Sequence, residues 1–167
     1  MRTLKYAILG LVSRNNMTGY DIAKEFDSAL ANFWYARHSQ IYPELKKLTK
    51  EGRIEFDVII SGEVLEKKVY RITEQGKQEL LEWLAQDEKL EPTPKDKFRL
   101  RMYFGDHIDA VSRKRLIQGQ LDQRRKKLSF LNQRFSEYDQ VPPSDDPAFG
   151  DYIVLEGAVM REEANIA

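Results

Sequence analysis

Apolar positions along this chain recur first at helical spacing, then at strand spacing, then at helical spacing again. Leu4, Ile8 and Leu11 fall at i, i+4 and i+7, which predicts a first helix over about Thr3–Ser13 with one apolar face. Thr18 opens a second helix. Its hydroxyl can accept from a first-turn amide, and Asp21 suits the positive end of the helix dipole. Ile22, Phe26, Leu30 and Phe33 form the stripe expected to be buried. A third helix is predicted from about Ser39, read as its cap, with Ile41, Leu45 and Leu48 inward and Gly52 in the left-handed position that ends helices. The period then changes to two: Ile54, Phe56, Val58 and Ile60 alternate with Glu55, Asp57 and Ile59. Gly62, between Ser61 and Glu63, marks a turn, and Lys68, Tyr70 and Ile72 share one face of the return strand. Thr73 is placed to cap a fourth helix whose Leu80, Trp83 and Leu84 are expected to cover the core.

Helix, helix and basic hairpin in that order predict a winged helix-turn-helix over residues 1–88. Pro92 and Pro94 disfavour helix before them and mark a linker at 89–96. Residues 97–167 read as helical. A short helix is predicted from about Lys95 and a long one from about Asp109 to Tyr138. In the long one Ile117, Leu121, Leu128, Leu131, Phe135 and Tyr138 make a heptad-like seam in which Arg124 is a charged break. After Pro142, Pro143 and Pro147, a shorter helix carries Phe149, Ile153, Gly157, Met160 and Ala164 at the same spacing. A helical hairpin within the chain explains these stripes, and so does a dimer interface. The fold class is therefore mainly α with a small β-hairpin.

Composition narrows the function. The 167 residues contain no cysteine, which removes disulfides, thiolate catalysis and thiolate metal sites. A reducing, cytoplasmic setting fits. No apolar run reaches the ~20 residues of a membrane span, and the apolar start of the chain lacks a cleavage site. The two histidines, His38 and His107, are far apart, and no nucleophile motif or phosphate-binding glycine loop is present. No enzyme, metal or cofactor is expected. Net charge is zero but unevenly spread: five Lys/Arg stand against two Asp/Glu over residues 37–53, and one against six over 141–167. A local basic patch on a neutral chain suggests a specific surface.

That patch is the outward face of the third helix. Ser39, Gln40, Tyr42, Pro43, Lys46, Lys47 and Lys50 lie away from the Ile41–Leu45–Leu48 stripe. A helix in a DNA major groove reads base edges with short or forked polar groups near its N-terminus, and Gln40 suits a bidentate adenine contact. Ser39, Tyr42 and the early amides suit a phosphate, as does His38, while Lys46, Lys47 and Lys50 suit the backbone further along. Lys67 and Lys68 place charge on the hairpin, which would neutralise phosphates or enter a minor groove, although Glu63 and Glu66 weaken that field. A basic face of this kind also fits an acidic protein partner. The winged helix as a protein-interaction module without DNA binding is the second reading.

Leu4–Val12 followed by Thr18-Gly19-Tyr20-Asp21-Ile22 resembles the opening of PadR-type transcriptional regulators. Gln40-Ile41-Tyr42-Pro43-Glu44-Leu45 with Leu48 and Glu51-Gly52 resembles that family's recognition helix, and Lys68–Gly76 its return strand and following helix. The resemblance implies a homodimeric repressor on operator DNA, with roles for Tyr20, Tyr42 and Pro43 at the DNA backbone or in setting the helix; a dimer would place two recognition helices about one DNA turn apart, which predicts an inverted-repeat operator. The length and helical pattern of residues 97–167 resemble the C-terminal dimerisation domain of longer members. That makes Ile117, Leu121, Leu128, Leu131, Phe135, Tyr138, Ile153 and Met160 candidate dimer contacts. Some relatives release DNA on binding phenolic acids or planar aromatic drugs, which implies a possible small aromatic effector here.

Overall fold

The computed structural model describes residues 2–28, 30–61, 65–90 and 92–167. It is mainly helical, with one small antiparallel sheet, and divides into two compact units, Met1–Lys89 and Leu90–Ala167. No helix of the described residues is long and apolar enough to cross a membrane.

The first unit runs α1 (Thr3–Arg14), β1 (Met17–Thr18), α2 (Gly19–Asp27), α3 (His38–Lys50), β2 (Ile54–Ser61), β3 (Leu65–Ile72) and α4 (Glu74–Leu84). Its core takes Ile22 and Phe26 of α2, Ile41, Leu45 and Leu48 of α3, Ile54 and Leu80 from the predicted stripes; on α1 the buried residues are Ile8, Leu9 and Val12, and the expected Leu4 and Leu11 are only partly buried against it. The sheet order is β1-β3-β2. The hairpin pairs Ile54 with Ile72 and Phe56 with Tyr70, as the alternation requires, and the expected turn at Gly62 lies outside the described residues. The two-residue β1, too short for a periodicity signal, pairs Met17 with Tyr70 and so fastens the start of α2 to the sheet.

Three expectations in this unit are corrected. α2 stops at Asp27, where the Ser28 hydroxyl takes the Lys24 carbonyl and competes with the helix backbone. Leu30 then sits in a separate 3₁₀ turn and Phe33 is half exposed instead of buried. Ser39 does not cap α3; Arg37 holds the N-cap position and Ser39 falls in the first turn. Leu84 is exposed, and the cover that α4 supplies comes from Leu80 and from Trp83, whose ring stacks on Tyr6 at 4.5 Å.

Two glycines are fixed by geometry. Gly52 has φ of +67° at the end of α3, as expected. A Cβ on Gly76 would lie 2.0 Å from the Arg53 carbonyl oxygen, so only glycine lets the first turn of α4 meet the start of β2. Thr73 caps α4 by accepting from the Gly76 amide at 3.1 Å.

The second unit contains α5 (Lys97–Tyr103), α6 (Ala110–Phe135) and α7 (Pro147–Ile166). Asp96, Asp109 and Asp146 cap the three by accepting amide bonds of 2.8–3.0 Å. α6 and α7 pack as a hairpin around Leu131, Leu155 and Ala158, with Phe135, Tyr138 and Val159 against them. Leu131 is fully buried within this hairpin, and Phe135 and Tyr138 pack partly buried against it, so a helical hairpin within the chain accounts for this part of the stripe. Tyr138 also donates to Asp151 at 2.7 Å, and burial together with that bond pushes its phenol up to about 12. The Arg124 break in the seam has a partner: Arg124 bonds the buried Glu162 of α7 at 2.9 Å and 3.2 Å, and Lys127 reaches it at 2.7 Å. Glu162 also corrects the face of α7. Leu155, Ala158 and Glu162 point inward, and the expected stripe leaves Ile153 and Met160 exposed. Both faces of α7 carry apolar residues at helical spacing. The cations on α6 decide which one packs.

Candidate nucleic-acid interface

The start of α2 is locked by a reciprocal cap. The Asp21 amide donates to Thr18 Oγ1 at 3.1 Å, and the Thr18 amide and hydroxyl donate to Asp21 Oδ2 at 3.2 Å and 2.6 Å. The Thr18 hydroxyl bond holds the Asp21 carboxyl below its ordinary range. Gly19 is the contact point with α3: a Cβ there would lie 2.9 Å from Cε1 of Tyr42. The glycine of the Thr18–Ile22 motif therefore makes room for the Tyr42 ring, which stays half exposed, while Tyr20 beside it faces solvent. Sequence reasoning gave this glycine no role. Its presence at a helix start where most residues are tolerated was the available signal.

α3 is held from behind. Glu44 is buried on the inward face and accepts from Arg2 Nε at 3.0 Å, while Arg2 Nη1 donates to Glu51 at 2.6 Å. The Arg2 bond lowers the Glu51 carboxyl from its ordinary value. Glu44 of the helix and Glu51 at its C-cap are thereby both engaged by Arg2. Ser39, Gln40, Tyr42, Pro43, Lys46, Lys47 and Lys50 are all exposed on the front, and among the described residues none of the three lysines stands in a salt bridge. Pro43 has no N–H for the Ser39 carbonyl one turn earlier, so that acceptor stays open on the exposed side.

Two residues at the helix start are placed differently from expectation. Gln40 Oε1 accepts the Arg37 amide at 3.0 Å, closing the first turn. That bond folds the Gln40 side chain back on the helix start, so a bidentate adenine contact requires it to leave or share the Arg37 amide. His38 Nε2 lies 2.8 Å from Asp27 Oδ2, so it ties the end of α2 to the start of α3, and the adjacent carboxylate disfavours a phosphate there.

On the hairpin, Arg71 is committed to Glu55 at 3.0 Å and to Asp57, which neutralises that face. Lys67 and Lys68 are exposed, with the Lys68 ammonium 4.2 Å above the Phe56 ring. Among the described residues no three His, Asp or Glu side chains gather as a metal site.

The arrangement is a helix with a cationic front, braced by a capped helix behind it and flanked by a hairpin. Residues 8–82 match the family described as "Transcriptional regulator PadR-like family". The negative transcriptional regulator PadR of Bacillus subtilis is 45% identical over 169 residues, covering 98% of this chain and 91% of that protein. The chain belongs to the PadR family of transcriptional regulators. Its residues 94–167 match a second family, "Virulence activator alpha C-term". The crystal structure of B. subtilis PadR in complex with operator DNA superposes with a TM-score of 0.93 at 44% identity, covering 99% of this chain and 94% of that one. The complex of the same regulator with p-coumaric acid gives 0.86 at 42% identity, covering 99% and 93%.

Proposed function

We propose that this PadR-family regulator is a homodimeric repressor that binds an inverted-repeat operator through the front of α3 and releases it on binding a phenolic or similar planar aromatic effector. The observation that carries the reading is the exposed cationic front of α3 in a chain 44% identical to a regulator crystallised on operator DNA. Ser39 and Tyr42 approach bases or the nearest phosphate, and Gln40 contributes one donor while holding the helix start. Lys46, Lys47 and Lys50 contact the backbone, and Lys67 and Lys68 do so from the hairpin. Pro43 and Gly19 set the surface. Ile117, Ile153 and Met160 are exposed on α6 and α7 and serve self-association, with Leu121 and Leu128 at its margin. The effector part rests on B. subtilis PadR having been crystallised with p-coumaric acid. Binding of the chromosome implies a cytoplasmic protein.

The test is a gel shift on the region upstream of its own gene across a salt series, with and without p-coumaric acid. The expected result is tight binding at low salt, log affinity falling linearly with log salt, and release by the acid. No retardation of any duplex at low salt would overturn DNA binding. Retardation insensitive to phenolic acids would remove the effector part alone.

A further inference from the structure

The face of the hairpin that covers the core continues beyond it. Ile54, Phe56, Val58 and Ile60 share one face of β2, opposite Ile72, Tyr70, Lys68 and Glu66 of β3. Ile54 is buried and Phe56 half-buried, but Val58 is 51% exposed and Ile60 76% exposed. Ile59, on the other face, is exposed too. Three β-branched apolar residues thus project at the far end of an edge strand, which invites unwanted strand pairing unless a partner covers them.

The surface continues the DNA-facing front of α3. Tyr42 of that front meets Gly19, which follows Met17 and Thr18 where they pair with Tyr70 and Val69 of β3, and Tyr70 lies on the same sheet face as Phe56. Charge at this end is small: Lys67 and Lys68 are offset in part by Glu66, and the Lys68 ammonium lies against Phe56. Electrostatics alone gives the hairpin a weak pull on phosphate. Among the described residues this end also exposes aliphatic surface, that of Val58, Ile59 and Ile60.

We propose that Val58 and Ile60 form an apolar wedge that packs against the deoxyribose walls of a minor groove flanking each operator half-site. The wedge adds affinity that does not depend on salt. It rests on the reading of α3 as the major-groove element. Sugar walls offer apolar C–H surface between phosphates, the kind of surface minor-groove proteins meet with aliphatic side chains. The lysines on β3 then flank the wedge and bridge to the phosphate rims.

The experiment measures operator affinity by fluorescence anisotropy across a salt series for the parent chain, Ile60→Ser, Val58→Thr/Ile60→Ser and Lys46→Ala. Ile60→Ser is expected to weaken binding about tenfold, the lower end of what covering one large aliphatic side chain is worth, with the salt slope unchanged. The double variant weakens it further. Lys46→Ala is the control for the underlying reading and lowers both affinity and slope. If Lys46→Ala weakens binding while the Ile60 variants bind as the parent does, the wedge is overturned and the α3 reading stands. If Lys46→Ala also has no effect, the α3 reading itself fails. A sedimentation shift from dimer to monomer in Ile60→Ser would assign this surface to a second copy and likewise overturn the proposal. Both substitutions are at exposed positions, and circular dichroism confirms that the variants are folded.

Discussion

Replacing Glu162 by alanine tests how the C-terminal hairpin is held. The Glu162 side chain is 4% exposed and its carboxylate receives three bonds, from Arg124 at 2.9 Å and 3.2 Å and from Lys127 at 2.7 Å. Removing one member of a buried ion pair costs about 3–5 kcal/mol when the remaining charge is stranded. Here the stranding is incomplete: the Arg124 and Lys127 side chains are 23% and 48% exposed and can rehydrate. The remaining cost is the lost charge-assisted bonds and a small void beside Leu155 and Ala158, about 2–3 kcal/mol together. The pH dependence follows from the same contacts. Burial opposes ionisation of Glu162, but the Lys127 and Arg124 bonds outweigh it and hold its carboxyl below the ordinary 4.5. A lowered folded-state value stabilises fully above about 4.5, and that contribution fades as pH falls through the folded value. Both tryptophans, Trp34 and Trp83, lie in the first unit, so their emission reports the winged helix while circular dichroism at 222 nm reports all helices. Urea titration of Glu162→Ala should therefore lower the dichroism-detected transition and leave the tryptophan transition in place. In acid the parent and variant should converge. Equal urea midpoints for parent and Glu162→Ala at pH 7 would refute the reasoning, as would a double Arg124→Ala/Glu162→Ala variant whose loss equals the sum of the two singles.

Other outcomes are as specific. Gly76→Ala places a methyl 2.0 Å from the Arg53 carbonyl and should cost the first unit about 1–3 kcal/mol or more, read by tryptophan emission in urea. Thr18→Ala removes both sides of the α2 cap and should cost about 1 kcal/mol by the same assay, with Thr18→Ser close to the parent. Gln40→Ala opens the first turn of α3. It should weaken operator and random duplex alike if closing that turn is its role; selective loss on the operator would assign Gln40 as a base reader.

The helices and hairpin of the first unit were legible because their apolar residues keep one period and their ends carry residues with a single local function. Thr18, Thr73 and Gly52 are of this kind. What escaped were contacts between residues distant in sequence. Nothing near Arg2 announces Glu44 and Glu51, and nothing near Gly19 announces Tyr42. The two-residue β1 is shorter than any period. In the second unit periodicity identified helices but not their faces. The end of the heptad-like seam from Leu131 onward packs on α7 of the same chain, and Arg124, read as an interruption, is one of the cations bound to Glu162 on the inward face of α7. At the candidate interface the outward face of α3 was readable from the wheel. The engagement of Gln40 and His38 was not, because each depends on a backbone amide or carboxylate that only the folded turn brings near.

Everything functional here depends on two copies of α3 presenting their front to one duplex. Hydroxyl-radical footprinting of the full-length protein on the region upstream of its own gene measures that presentation. The account predicts two protected stretches related by an inverted repeat, their centres about 34 Å or roughly one helical turn apart, both lost in Lys46→Ala/Lys47→Ala/Lys50→Ala. Protection confined to a single stretch, or a triple variant that protects as the parent does, would contradict it.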